Sequence, residues 1–356
     1  MTLASDSSQA APFLGTSPPQ GSSEIRSLQV AEETFESLDQ EWRTLFLALC
    51  LQAPFHTPAW LRVWWQHFGK GHELLLLTFR EGGQLRGIAP LMRSADQISF
   101  LALSDVCDYH DFLFPCGDEE SFLTALLDRL QSLEWSAVRL EGLREGSAAL
   151  ALLPALAEER GFTVSVAPEE VSPHIPVAAS WDAYLEALTK KDRHELRRKM
   201  RRLEGAGTIK VTTATSATLA ADVARFLELL KDSREEKATF LTPERESFFH
   251  NLAIAMDHEG YLKLFFLELD GLKVTAAFVF DYANAYYLYN SGYDKRYESL
   301  SVGLLLKALL VNDAIEHGKR EYDLLRGAET YKYHLGAQDR WLKTLVIERS
   351  PGLRSP

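Results

Sequence analysis

The sequence predicts an α/β protein of two domains, on three observations: its length, apolar strand-like runs that alternate with segments of helical spacing, and a second half whose order of elements repeats that of the first. The 356 residues exceed a usual single domain and give each half enough chain to bury its own core. With 46% hydrophobic and 25% charged residues the composition is that of an ordinary globular protein, which excludes collagen, a disulfide-stapled mini-protein and disorder throughout. Residues 1–24 are the exception. They are rich in Ser, Pro, Gln, Gly and Ala, with Pro18-Pro19 and Gly21-Ser22-Ser23, and are expected to form a disordered tail.

After the tail, a polar and apolar mixture through Cys50 predicts a helix. Thr57 is placed to cap a second helix that has Pro58 at its first position and an aromatic inner face. Leu74 to Arg80 and Leu85 to Met92 are apolar runs around Glu81-Gly82-Gly83-Gln84 and read as a β-hairpin. Strand character continues at 98–103 and 111–115, helical spacing returns at 120–133, and a strand is expected at 137–141. A helix over 147–160 and a strand over 162–166 close a first domain, residues 25–175. In the second domain, residues 176–356, helices are expected over 181–204, 217–236 and 243–258. Strands follow at 261–269, 272–281 and 285–292, the first two joined by Asp270-Gly271, the strongest hairpin signal in the chain. A helix from Ser301 to about His317, ended by Gly318, and strands near 320–325 and 342–348 complete it. The matching order predicts a duplicated fold, although no residue-level repeat accompanies it.

Fifty acidic against 38 basic residues give a net charge of −12, which argues against a partner such as duplex DNA. Charge is nevertheless segregated. Residues 190–204 carry eight Lys and Arg against Asp192, Glu195 and Glu204, a net +5, and suit either the phosphates of coenzyme A or tRNA or a solvated face paired with acidic neighbours. Three cysteines at irregular spacing, Cys50, Cys107 and Cys116, fit a reducing compartment without a disulfide framework, hence a cytoplasmic address. Met1 to Gln20 has neither a basic nor an apolar signal region, and no run reaches the roughly 18 apolar residues of a membrane span.

The segment Ala285 to Gly336 carries most of the chemistry. An aromatic strand, Tyr286 to Tyr289, leads through a polar turn into a helix that opens on Ser299, Leu300, Ser301, Val302 and Gly303. Free amides and the positive dipole end of that helix make an anion site, and Gly303 lets a phosphate approach the backbone. The plainer alternative is that the serine is only a cap and the glycine only a packing residue. In the first half, Asp108, Tyr109, His110 and Asp111 form a compact polar group. Two carboxylates and one His fall short of a closed metal site, so a loop network is favoured and no metal is expected.

These residues resemble the GNAT acyltransferase superfamily, and more closely its CelD-type, FemAB-related branch. The match runs through Ser301-Val302-Gly303-Leu304-Leu305, then Tyr322-Asp323-Leu324-Leu325-Arg326-Gly327, then Tyr331-Lys332. Upstream it includes Thr57-Pro58-Ala59-Trp60, Gly87 to Leu91, Asp108 to Asp111 and Glu195 to Lys199, so that it covers residues 40–348. Val302 stands where the family has a proline. The resemblance implies tandem GNAT-like domains, each a mixed, mostly antiparallel sheet flanked by helices, with acetyl-CoA or another acyl-CoA bound in the C-terminal one. The donor would lie in a V-shaped split between strands 286–292 and 320–326, held by Asn290, Ser301, Val302, Gly303, Leu304 and Leu305. Asp323, Tyr331 and His334 are the implied proton-transfer residues, and Asp111, Tyr293, Arg326 and Lys332 the implied substrate contacts. For Asp323 and Arg326 the competing role is a salt bridge, and for Tyr331 and Lys332 a core ring and a solvated side chain. The implied reaction moves an acyl group, most simply acetyl, to an amine of a small molecule or a cell-envelope or polysaccharide precursor. A FemAB-like transfer from aminoacyl-tRNA is one alternative, and a binding protein without turnover, which Val302 allows, is another.

Overall fold

The computed structural model describes residues 27–49 and 53–349, so the expected tail and Cys50 lie outside the described residues. The first half opens on an edge strand, β1 (Gln29–Glu32), and on α1 (Phe35–Phe46), whose Phe35, Leu38, Trp42, Leu45 and Phe46 recur at helical spacing and are buried. Thr57 accepts from the Trp60 amide at the head of α2 (Pro58–Phe68), with Pro58 where its missing N–H costs nothing. The expected hairpin is β2 (Glu73–Glu81) with β3 (Gln84–Ser94). It is followed by β4 (Gln97–Phe100), α3 (Glu119–Gln131), β5 (Ala137–Arg144), α4 (Ala148–Glu158) and β6 (Phe162–Val171). Residues 111–115 form no strand of their own and make isolated bridges from Leu113 to Ile88 and from Pro115 to Leu49.

The second half begins with β7 (His174–Pro176), α5 (Trp181–Ala187) and α6 (Lys190–Glu204). The single helix expected over 181–204 is therefore two. Leu188 turns extended, and Thr189 then caps α6 by accepting from the Asp192 amide. After β8 (Ile209–Thr213), the helix expected over 217–236 is broken in the same way at the extended Arg234, into α7 (Leu219–Ser233) and α8 (Glu235–Phe240). Then come α9 (Pro243–His258), β9 (Leu262–Leu269), β10 (Leu272–Tyr282), β11 (Ala285–Tyr293), α10 (Val302–Glu316), β12 (Glu321–Asp323), α11 (Thr330–His334) and β13 (Trp341–Arg349).

Two sheets result, in the orders β1-β2-β3-β4-β5-β13-β6 and β7-β12-β11-β10-β9-β8. Each is antiparallel except for one pair, β4 with β5 and β11 with β12. The sheets also exchange strands. β13, expected to finish the second half, slots between β5 and β6 of the first sheet, where Leu342 and, beyond an irregularity in the register, Leu345 and Ile347 are fully buried. In return β7 edges the second sheet beside β12.

The halves share one core. Phe55 meets Phe280, and Trp60 meets Phe248, both edge to face. Buried polar ties reinforce it: the Tyr109 hydroxyl donates to Asp323 at 2.7 Å and the Tyr289 hydroxyl to the Val106 carbonyl at 2.8 Å. Cys107 is free and buried, whereas Cys116 is disulfide-bonded, which corrects the expectation of a chain without disulfides. No helix among the described residues is long and apolar enough to cross a membrane.

Burial pushes the Asp323 carboxyl up to about 6 against the tie from Tyr109. A raised carboxyl binds its proton more tightly in the folded chain, so its contribution to stability is full below 3.8 and is lost as pH rises through about 6. Asp323→Asn is expected to flatten the pH dependence of stability in that window, as read from urea denaturation midpoints measured across it.

Candidate active site

The parallel pair β11 and β12 holds for three positions, Ala285 opposite Glu321, Tyr286 opposite Tyr322 and Tyr287 opposite Asp323. β12 then stops, while β11 runs on to Tyr293. Just past that point β11 carries one residue more than β10: Val279 faces Leu288 and Phe278 faces Asn290, leaving Tyr289 as a bulge. The strands part there, and the helix that connects them, α10, starts at the opening.

A 3-10 turn over Lys295–Leu300 delivers Ser301 in the left-handed region, at φ 58 and ψ 33. For a residue with a Cβ this conformation costs about 1–2 kcal/mol, and such strain clusters at functional sites. The first amides of α10 have no carbonyl a turn behind them, the Ser301 side chain does not cap them, and no acidic residue stands in the first turn. They face a cavity of about 370 Å³. The amides and the positive helix end favour an anion here.

Four cations reach the same cavity: Lys199 from α6, Arg234 and Lys237 from the α7–α8 junction, and Lys307 from α10 itself. Lys307 is buried, donates to the Gly303 carbonyl at 3.0 Å and lies 4.8 Å from the centre of the Tyr331 ring. Burial, with the neighbouring Lys237 and Arg234, lowers its pKa to about 7. Lys237 donates to Asn290 Oδ1 at 3.2 Å and to the Ser291 carbonyl, and burial beside Arg234 lowers it to about 8. Two carboxylates, Glu298 and Glu329, share the lining, so the cavity carries an excess of positive charge.

The first half differs at the corresponding place. Its parallel pair also holds for three positions, Gln97 to Ser99 opposite Ala137 to Arg139. The chain fills that gap itself: the His110 amide donates to the Gly142 carbonyl at 3.1 Å, and Leu113 exchanges backbone hydrogen bonds with Ile88. Its connecting helix α3 begins on Asp118, Glu119 and Glu120, which repel a phosphate.

Among the residues singled out from the sequence, Ser301, Val302, Gly303, Leu304, Tyr293, Tyr331 and His334 line the cavity. Leu305 is buried in the core beneath it, and Asn290 touches it through Lys237. His334 stands at its rim with Nδ1 at 2.7 Å from Asp192, which ties α11 to α6. The others are engaged elsewhere. Asp323 is fully buried and accepts from Tyr109 and from the Leu325 amide, and Arg326 holds the Asp108 carbonyl and Glu169. Asp111 accepts from Ser147 and the Phe112 amide, both at 2.9 Å, in the first half. Lys332, expected to meet phosphate, is buried in a cage of the Leu325, Arg326 and Gly327 carbonyls, at 2.8, 2.6 and 2.9 Å, closed by Glu329. Left-handed backbone at Leu325 and Gly327 turns those carbonyls inward. Arg234, Lys237 and Lys307 escaped sequence reasoning. The available signal was Lys307, a lone charge in an apolar helix four residues after Gly303.

The fold is two mixed sheets, each with one parallel pair and helices on its faces. Residues 190–333 match the model of the acetyltransferase (GNAT) domain family. Among solved structures, FemX aligns with a TM-score of 0.61 at 14% identity, over 89% of this chain and 96% of its own. A conserved protein of unknown function from Bacteroides thetaiotaomicron gives 0.55 at 11% identity, over 90% and 100%. The C-terminal domain of a putative lysylphosphatidylglycerol synthetase from Agrobacterium fabrum gives 0.56 at 9% identity, over 88% and 92%. The comparison with curated proteins finds no match. The match to the GNAT domain thus covers residues 190–333, and over most of its length the chain shares its fold with FemX.

Two outcomes follow for the architecture of the cleft. Ser301→Gly relieves the left-handed strain and is expected to raise stability by up to about 1 kcal/mol, read as an increase in Tm. Lys332→Met leaves three inward carbonyls without a donor and is expected to cost about 1–3 kcal/mol, with faster amide hydrogen exchange over 325–333 as the local signature.

Proposed function

We propose that this chain transfers an acyl group from acyl-CoA to an amine in the cleft of its second half. The reading rests on the uncapped, acid-free start of α10 opening into a cavity that four cations share. Diphosphate of the donor would lie on the amides of Val302 and Gly303, with Lys199 and Arg234 beside it. The thioester would follow the free edge of β11 towards Lys237.

The amine nitrogen attacks the acyl carbon, forming the C–N bond, and negative charge develops on the carbonyl oxygen. Lys237 is placed to stabilise that charge, because the Ser291 amide already donates to Asn290 Oδ1 at 2.9 Å. The C–S bond breaks as the oxyanion collapses. Lys307, part neutral near pH 7, takes the proton lost by the amine and passes it to water, and Tyr331 gives a proton to the departing thiolate and regains one from water. The acceptor class is an amine of a small molecule or envelope precursor.

A second reading has one observation behind it. FemAB-like relatives use aminoacyl-tRNA, and the exposed face of α6, with Lys190, Lys191, Arg197, Arg198, Arg201 and Arg202, leads to the cavity through Lys199. Free-thiol release with a panel of acyl-CoAs and amines tests the first reading. Release that needs both substrates supports it. No thiol with any donor, together with saturable binding of charged tRNA, would replace it by the second.

The two lysines set the pH profile. In the free protein the rate at low substrate is expected to rise as Lys307 loses its proton near pH 7 and to fall as Lys237 loses its own near pH 8. Lys307→Met is expected to remove the acid limb, and Lys237→Met to lower kcat by about 10²–10³-fold with little change in KM. Gly303→Glu places a carboxylate at the helix mouth, and its Cβ would already stand 3.1 Å from the Tyr293 ring. Loss of acyl-CoA binding in calorimetry is the expected result.

A further inference from the structure

The first half keeps a cavity, of about 110 Å³, at the place that corresponds to the cleft of the second. The same three stretches of chain line it: the segment running into the gap beside β4 and β5, with Asp111, Phe112 and Phe114; the start of the connecting helix α3, at Glu119; and the residues after β5, Gly146 and Ala148. In the second half those stretches supply Tyr293, Ser301 to Leu304 and Glu329 to Tyr331. Charge separates the two. Cations crowd the cleft of the second half, whereas among the described residues no Lys, Arg or His lines the cavity of the first, which holds two carboxylates.

Each carboxylate has one oxygen engaged and one open. Asp111 Oδ1 accepts from the Ser147 hydroxyl and the Phe112 amide, and Glu119 Oε1 accepts from the Gly117 amide at 3.0 Å. Asp111 Oδ2 and Glu119 Oε2 have no partner among the described residues, and neither is fully enclosed. Asp111 is 4% exposed, and burial pushes its carboxyl up to about 6 against the pull of Arg144. Arg144 does not satisfy it: the guanidinium lies 5.1 Å from the centre of the Tyr109 ring and forms no ion pair with Asp111. A carboxylate held out of water with an open oxygen gains most from a donor that carries positive charge. The helix ends here do not call for an anion, because α3 starts on carboxylates and Ser147 accepts from the Ala149 amide at the start of α4. The walls are Leu49, Ala148 and the two phenylalanines, whose rings favour a cation, and the volume suits a short alkyl chain rather than a nucleotide.

We propose that this cavity binds a small primary ammonium, whose N–H groups donate to Asp111 Oδ2 and Glu119 Oε2 while its alkyl chain lies against Leu49, Phe112 and Phe114. The site stands apart from the cleft of the second half, so it is tested by binding alone. Propylammonium chloride is titrated into the full chain at about pH 8, where Asp111 is ionised, with propionate and propanol as anionic and neutral comparators of the same size. Calorimetry and amide hydrogen exchange are the readouts. The expected result is saturable binding of the ammonium at millimolar concentration, at least about tenfold tighter than either comparator, with slowed exchange over 111–119 and 146–150. Asp111→Asn keeps an acceptor for Ser147 and Phe112 but removes the charge, and Glu119→Gln removes the other; each is expected to weaken binding at least about tenfold. Circular dichroism identifies a variant that does not fold, and the other variant and the two comparators then carry the comparison. Absence of saturable binding overturns the proposal, as does equal affinity for propanol, binding that both variants leave unchanged, or protection confined to the cleft of the second half.

Discussion

The cleft of the second half exists because β12 ends after three residues while its neighbour continues. Two parallel strands that stay paired close their hydrogen-bonding edges to everything else; strands that part leave polar backbone facing a gap, and buried backbone groups have to find partners. In this chain the gap is met from three sides, by the start of α10, by Lys237 against the Ser291 carbonyl and by Asn290 against the Ser291 amide. Everything assigned to chemistry here depends on that divergence.

Duplication makes the point by contrast. Both halves contain a parallel pair of the same short length, so the fold alone does not decide which half is open. Local sequence does. In the first half Tyr109 to Leu113 runs into the gap and the next helix starts on three carboxylates; in the second a bulge at Tyr289 and a strained Ser301 hold the gap apart and keep the helix end electropositive. A carboxylate at a helix start is stabilising for the fold and unsuited to a phosphate. The first half has the more settled arrangement, and the second bears strain.

Much of this was legible from the amino acids. The hairpin around Gly82-Gly83, the Thr57 cap with Pro58, the Asp270-Gly271 turn and the position of α10 are local signals, carried by residues whose backbone preferences are strong. Ser301 to Leu304 at the cavity followed from the same reasoning, helped by family resemblance. What was not legible depends on distance in space. Asp323 and Arg326 look like site residues until Tyr109, Asp108 and Glu169, over 150 positions away, are seen to engage them. Lys332 looks solvated until three carbonyls surround it. Lys237 sits in a run of ordinary surface composition, and nothing near it in sequence announces that it reaches β11.

The placement of β13 bears on how such a molecule comes into being. A polypeptide emerging from the ribosome can complete the second sheet once residues up to β12 are available, but the first sheet lacks an interior member until residue 349 has been added. The earlier-synthesised half is thus the later one to mature. During translation β5 and β6 wait as unpaired edges, a state open to aggregation or to capture by a chaperone, and the last-made strand acts as the closing bolt of the first-made sheet.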